Sequence, residues 1–86
     1  MKRHELKTLP QYFEGLWSNK KTFEIRKNDR DFKVNDVLIL REWDETYSGR
    51  VCYRRITYIT SFPKGLKRGY VVMGFNYMGF CVPEKE

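Results

Sequence analysis

Seven consecutive residues, Lys20-Lys21-Thr22-Phe23-Glu24-Ile25-Arg26, concentrate the residue types in this chain that do chemistry. Five of the seven are charged or hydroxyl-bearing, and the two apolar members alternate with polar ones. Successive side chains of a β-strand point to opposite faces. A strand here groups Thr22, Glu24 and Arg26 on one face and Phe23 and Ile25 on the other. With Phe23 and Ile25 in the core, a hydroxyl, a carboxylate and a guanidinium line up on the opposite side, and Lys20 and Lys21 stand at the mouth of the row. Such a ladder either reads a polar ligand and moves protons, or is a solvated strand face. In the functional reading Glu24 and Arg26 lie inside a barrel mouth, where a buried charge has to be paired or hydrogen-bonded. In the structural reading they pair across an exposed face with Arg41 and Glu42 of the next strand.

The other residues exclude most well-marked enzyme classes. His4 is the single histidine, so no nucleophile–histidine–acid triad can be assembled around Ser18, Ser48 or Ser61. Gly65 and Gly69 read as turn glycines rather than a phosphate loop. Asp29 and Asp31 lack calcium-loop spacing. No metal site and no cofactor are expected. A lysine–carboxylate mechanism stays open, with Lys21 as base and Glu24 or Glu42 as proton carrier. Cys52 and Cys81 lack the close spacing of metal ligands; they could pair, but in a cytosolic chain they read as free thiols.

These residues need a scaffold, and 86 residues suffice for one domain, 1–86. Leu6 and Leu9 mark a short first strand or extended lead-in over 4–9. Phe13, Leu16 and Trp17 fall at i, i+3, i+4 and predict an amphipathic helix from Pro10 to Ser18, with Leu9 stapled against Phe13. After the charged strand, Lys27 to Asp31 and Asn35-Asp36 are turns. Val37 to Trp43 and Arg50 to Thr60 read as strands joined by a Tyr47-Ser48-Gly49 turn, and Gly69 to Phe75 as a last strand that residues 76–82 extend. Arg54 and Arg55, being adjacent, face opposite sides. The predicted class is α+β: a small, mostly antiparallel β-barrel with one N-terminal helix packed against it.

Charge narrows the partners. A net charge of +6 suits either a polyanionic partner or solubility alone, and its distribution tips the balance toward the partner. Basic residues gather at Lys20-Lys21, Arg26-Lys27, Arg30, Arg54-Arg55 and 64–68, and acids at 42–45 and at Glu84 and Glu86, which predicts a positive side. Trp17 and Trp43 are expected in the core, and Tyr53, Tyr58, Tyr70 and Tyr77 on a wet aromatic surface. The longest aliphatic run, Val37 to Leu40, is far too short to span a bilayer. The start, Met1-Lys2-Arg3-His4-Glu5, lacks the apolar stretch of a signal peptide. A cytoplasmic protein with no membrane partner is expected.

Several blocks together carry a family resemblance. His4-Glu5-Leu6-Lys7, Pro10-x-Tyr12-Phe13, Lys20 through Arg30, Asp36-Val37-Leu38, Leu40-Arg41-Glu42-Trp43 and Gly69 through Phe75 resemble the DUF3850 family of small bacterial and phage proteins. That family looks like a branch of the ASCH superfamily among the PUA-like β-barrels. The resemblance implies a barrel whose first helix leads into a strand beside a ligand cleft, and an association with RNA. One similar ASCH group hydrolyses N4-acylated cytidines with a lysine, a threonine three positions later and a more distant glutamate. Lys21 matches that lysine, but Glu24 stands where that group has threonine, which favours binding over hydrolysis.

The expected function is therefore an RNA- or nucleotide-binding module. Lys20, Lys21 and Arg30 would hold phosphates, Glu24 and Arg26 a base edge, and an aromatic ring the base face. Thr22 and Glu42 complete the expected site. The alternatives are a small amidohydrolase acting on a modified nucleoside through Lys21 and Glu24, and a phage or bacterial module that binds a host protein.

Overall fold

The computed structural model describes residues 1–78 and the backbone of 82–83. Its elements run β1 (Arg3–Thr8), α1 (Pro10–Trp17), β2 (Phe23–Lys27), β3 (Val37–Asp44), β4 (Thr46–Thr60), β5 (Tyr70–Tyr77) and β6 (Val82–Pro83). They form one curled sheet in the order β1-β3-β4-β5-β2, with β6 beside β4. β1 pairs parallel with β3, and every other ladder is antiparallel. The sheet is thus mixed and barrel-like. Its two edge strands, β1 and β2, are not joined by a backbone ladder among the described residues. That gap is where the charged strand lies.

Each element has a local cause. Pro10 opens α1 at a position where its missing N–H costs nothing, and Phe13 and Leu16 are fully buried against the sheet. Leu9 is the N-cap rather than a staple, and its side chain remains exposed. The inner face of the sheet supplies the rest of the core, with Leu38, Leu40, Ile56 and Met73 fully buried. Burying a large aliphatic side chain contributes about 1.5–3 kcal/mol, so this layer and the helix face hold the fold together.

The turn expected at Tyr47-Ser48-Gly49 is displaced. These residues belong to β4, and the hairpin tip is Glu45, which takes a left-handed backbone (φ 66°) between the Asp44↔Thr46 pair. Gly49 (φ 95°) supplies local irregularity where the β3–β4 register shifts, as a bulge requires. Asn35 (φ 79°) does act as a left-handed turn residue. The expected pairing of 76–82 is seen at Asn76–Tyr77 in β5 and Val82 in β6, Met78 belongs to no strand, and 79–81 fall outside the described residues.

Adjacent arginines of β4 do face opposite ways. Arg54 is 1% exposed, and its guanidinium donates to the Leu16 carbonyl at 2.8 Å and the Tyr53 carbonyl at 2.9 Å. A cation under the last turn of a helix meets the negative end of the helix dipole. Burial pushes the Arg54 pKa down, opposed by Tyr77. Arg55 instead donates outward to the Asn35 carbonyl at 2.9 Å. Cys52, expected as a free thiol, is fully buried and disulfide-bonded. Cys81 lies outside the described residues. No helix among the described residues is long and apolar enough to cross a membrane.

Asp36 ties the start of β3 to the start of β1. Its carboxylate accepts from the Lys2 amide at 2.9 Å and the Lys33 amide at 3.1 Å, and lies 2.8 Å from His4 Nε2. Burial alone raises the Asp36 pKa, but the His4 hydrogen bond and the two amides outweigh it and hold the carboxyl below its usual range. A depressed folded-state pKa stabilises the fold above the unfolded value, and that contribution disappears as pH falls through the folded value. Urea titrations should therefore show wild-type stability falling below about pH 4, with Asp36→Asn less stable at neutral pH and flatter on this acid limb. An unchanged acid limb in the variant would show that Asp36 does not carry it.

Candidate nucleotide cleft

Lys21 is positioned by the way α1 ends. The Lys20 amide donates to the Gly15 carbonyl at 2.9 Å and the Asn19 amide to the Leu16 carbonyl at 3.0 Å, with Asn19 left-handed at φ 60°. This is the Schellman arrangement, with asparagine at the position usually taken by glycine. The Lys21 amide also returns to Gly15, at 2.8 Å. A Cβ on Gly15 would sit 3.0 Å from the Lys21 Cβ, so the glycine is what lets Lys21 lie against the helix. The helix-weakening glycine in the sequence thus serves the charged strand.

β2 is turned opposite to the simplest sequence expectation. Glu24 is 3% exposed, whereas Phe23 is 44% and Ile25 48% exposed. The register with β5 sets this: Glu24 faces Met73 and Arg26 faces Val71, both inward-pointing, while Phe23 pairs with Gly74 and Ile25 with Val72. Residues directly opposite share a sheet face. The carboxylate therefore goes in, and the phenyl ring and the aliphatic side chain go out. Their exposure follows from their place on the outward face of the sheet.

A carboxylate this buried must be compensated. Lys21 Nζ donates to Glu24 Oε1 at 2.6 Å and Arg26 Nε to Glu24 Oε2 at 2.7 Å, one cation on each oxygen. Arg26 also reaches across the gap, donating to the Lys7 carbonyl at 2.9 Å and to Thr8 Oγ1 at 3.3 Å. Arg30 donates to the Glu5 carbonyl at 2.7 Å. Glu5 and Lys7 are alternate residues of β1, so their carbonyls point the same way, toward the open side. Two arginines thus do for the β1 edge what a neighbouring strand would have done.

Around this clasp lies a cleft of about 540 Å³, walled by Tyr12 and Leu9 of the helix start, Lys7 and Thr8 of β1, and Lys21, Phe23 and Arg26 on the β2 side. The Lys21 ammonium sits 5.6 Å from the Tyr12 ring and 5.9 Å from the Phe23 ring, within cation–π range. A second cleft of about 250 Å³ shares Ile25 and Arg26 and continues past Arg30 to Tyr70. Aromatic faces, donors and a carboxylate with lone pairs left over are what a planar ligand with hydrogen-bonding edges requires.

The expected site residues divide cleanly. Lys21, Glu24 and Arg26 converge on the larger cleft, and Arg30 lines the smaller one. Lys20 and Thr22 are exposed and line neither. The Thr22 carbonyl serves the ladder, accepting from the Phe75 amide at 3.1 Å. Glu42 is the register partner of Thr8, but its carboxylate turns away to Arg50 at 2.8 Å and Ser48 at 2.6 Å. The Arg50 hydrogen bond, helped by Ser48, lowers the Glu42 pKa against the opposing effect of burial. Arg50 also binds Glu14 at 2.6 Å and lies over the Trp17 ring at 4.7 Å, so this second cluster fastens α1 to the β3–β4 hairpin. Sequence reasoning missed Tyr12, Lys7 and Thr8, and assigned Phe23 and Ile25 to the core. Glu24 between two cations is the signal in the sequence that this face turns inward.

Replacing Glu24 with Gln removes the charge that holds two cations together while keeping the shape. We expect Glu24→Gln to lose about 1–3 kcal/mol in urea unfolding, the scale of a buried charged hydrogen-bond network deprived of one member. Lys20→Ala, on the exposed neighbour, should leave the midpoint within about 0.5 kcal/mol. Equal midpoints for Glu24→Gln and wild type would refute the clasp.

Comparison with known proteins adds the family. Residues 3–75 match the family described as "Domain of unknown function (DUF3850)". The chain is also 38% identical over 73 residues to a protein of Escherichia phage P2 described as "Uncharacterized 12.9 kDa protein in GpA 3'region". That similarity covers 84% of this chain and 66% of the relative, so the chain spans just under two thirds of the phage protein's length. The matched region contains β1, α1, β2 and the whole Lys21–Glu24–Arg26 clasp, and the chain belongs to the DUF3850 family.

Proposed function

We propose that this protein binds single-stranded RNA or a nucleotide in the Lys21–Glu24–Arg26 cleft, and that its curled sheet is a PUA-like barrel of the ASCH type. The observation that carries the reading is the pair of exposed rings, Tyr12 and Phe23, beside a buried carboxylate held by two cations. A base stacks on one ring, an interaction worth about 1–3 kcal/mol per base. Its exocyclic amine donates to a free lone pair of Glu24, and the remaining Lys21 and Arg26 donors meet ring or carbonyl acceptors. Lys20, exposed at the mouth, neutralises phosphate.

Fluorescence anisotropy with a labelled single-stranded RNA tests this directly. Wild type should bind at micromolar protein with affinity that falls as salt rises. Tyr12→Ala should bind about 5- to 150-fold more weakly. Lys21→Ala should weaken binding and lower the salt slope by about 0.7. Absence of salt-sensitive binding sinks the reading, and retention of a host protein after nuclease treatment would replace it with a protein-interaction role.

The 2.6 Å contact between Lys21 and Glu24 favours a second reading, hydrolysis of an acylated nucleoside. The pair sits at the cleft wall and offers a proton donor beside a proton acceptor. Release of cytidine from an N4-acylated cytidine, abolished in Lys21→Ala, is the expected result on that reading. Equal rates for both proteins exclude it.

A further inference from the structure

The net charge of the chain is segregated in a way that the cleft does not use. Residues 46–83 contain six basic residues and no acidic one, whereas the rest of the chain holds eleven basic and eleven acidic residues. The entire net charge of +6 therefore belongs to the stretch 46–83, which carries β4 and β5. Three of the six cations already have partners in the chain: Arg50 with Glu42 and Glu14, Arg54 under α1, and Arg55, facing outward, on the Asn35 carbonyl. The other three, Lys64, Lys67 and Arg68, are exposed in the β4–β5 loop and form no ion pair among the described residues. Phe62 in the same loop and Tyr58 just before it are also exposed.

The loop is next to the end of the cleft system. The Asn28 amide donates to the Gly69 carbonyl at 2.8 Å, and Lys27 pairs with Tyr70, so Arg68 lies close to the far end of β2. Tyr70 and Lys27 line the smaller cleft, which shares Ile25 and Arg26 with the larger one. A path thus runs from Tyr12 and Lys21, past Arg26 and Arg30, to Lys27 and the basic loop. Its β2 portion is five residues long, about 17 Å at 3.3 Å per residue. Stacked nucleotides advance about 3.4 Å each, so the path holds several.

We propose that the ligand is a single polynucleotide strand, one base of which enters the cleft while its backbone follows the β1–β2 gap to the β4–β5 loop. This inference rests on the nucleotide reading of the cleft and adds that the ligand is a polymer. Lys64, Lys67 and Arg68 hold its phosphates, and Phe62 offers a face to a flanking base. Positive charge concentrated on exposed residues of a loop that itself contains no acid is the complement of a phosphate backbone and gives affinity without base readout, while Asp29 is a carboxylate on the wall of the smaller cleft.

Length-dependent binding tests the proposal, with labelled nucleoside monophosphate, a trimer and a dodecamer of RNA, and the DNA dodecamer as a second arm. The dodecamer should bind wild type at least about tenfold tighter than the monophosphate. Lys64→Ala, Lys67→Ala and Arg68→Ala combined should remove most of that advantage and lower the salt slope by about 2, roughly 0.7 for each phosphate no longer neutralised. The same triple variant should leave monophosphate binding unchanged, and circular dichroism should show an intact fold. Equal affinity for monophosphate and dodecamer, or an unchanged dodecamer affinity in the triple variant, overturns the extended path while Lys21-dependent monophosphate binding keeps the cleft reading. No binding at any length overturns both. Equal affinity for the two dodecamers supports backbone recognition, and loss of the DNA arm alone supports it with the 2′-hydroxyl as an added contact.

Discussion

The Glu24 carboxylate, buried and gripped by Lys21 on one oxygen and Arg26 on the other, is the interaction on which the arrangement of this protein turns. An ionised carboxylate in that position is costly without partners, so the strand that carries it can face inward only if both cations arrive. One arrives from the end of α1 through a left-handed asparagine and a glycine that permits close approach. The other comes from the same face of β2, two residues on. The clasp therefore couples helix, strand and gap. Arg26 carries the coupling further by holding the free carbonyl edge of β1.

The same interaction explains why the sheet stops short of a closed barrel. Continuous backbone pairing of β1 with β2 would fill the space that the cleft occupies. Guanidinium groups close the edge at two carbonyls, Lys7 and Glu5, and leave room between them and the helix start. Exposed edge carbonyls are a liability for unwanted strand pairing, and capping them with arginine side chains is one way to limit it. A groove with polar walls and exposed aromatic rims is the result.

Much of the scaffold is legible in the sequence because its signals are periodic. Phe13, Leu16 and Trp17 mark α1, and the β-branched runs mark β3, β4 and β5. The turn expected at Tyr47-Ser48-Gly49 is misplaced because Glu45, with no special turn propensity, takes the left-handed conformation that Gly49 would have supplied at the tip. The phase of β2 is harder. Alternation identifies two faces but cannot say which is inside, and hydrophobicity favours Phe23 and Ile25. Long-range register with β5 reverses that choice and is not visible in a seven-residue window, whereas the compensating cations, Lys21 and Arg26, lie within it and are the local signal that the carboxylate turns inward. Glu42 shows the same limit: its strand position beside Thr8 suits the cleft, but Arg50, eight residues away in the next strand, takes its carboxylate.

An NMR titration of the labelled protein with a short single-stranded RNA tests the clasp and its cleft most directly. It should track the Arg26 Nε–H, the Lys21 ammonium and the ring signals of Tyr12 and Phe23. Ligand entry between β1, α1 and β2 predicts that these signals shift together and saturably, with the rings moving upfield as a base stacks against them. Shifts confined to surfaces away from β1, α1 and β2, with the four cleft residues unmoved, would contradict it.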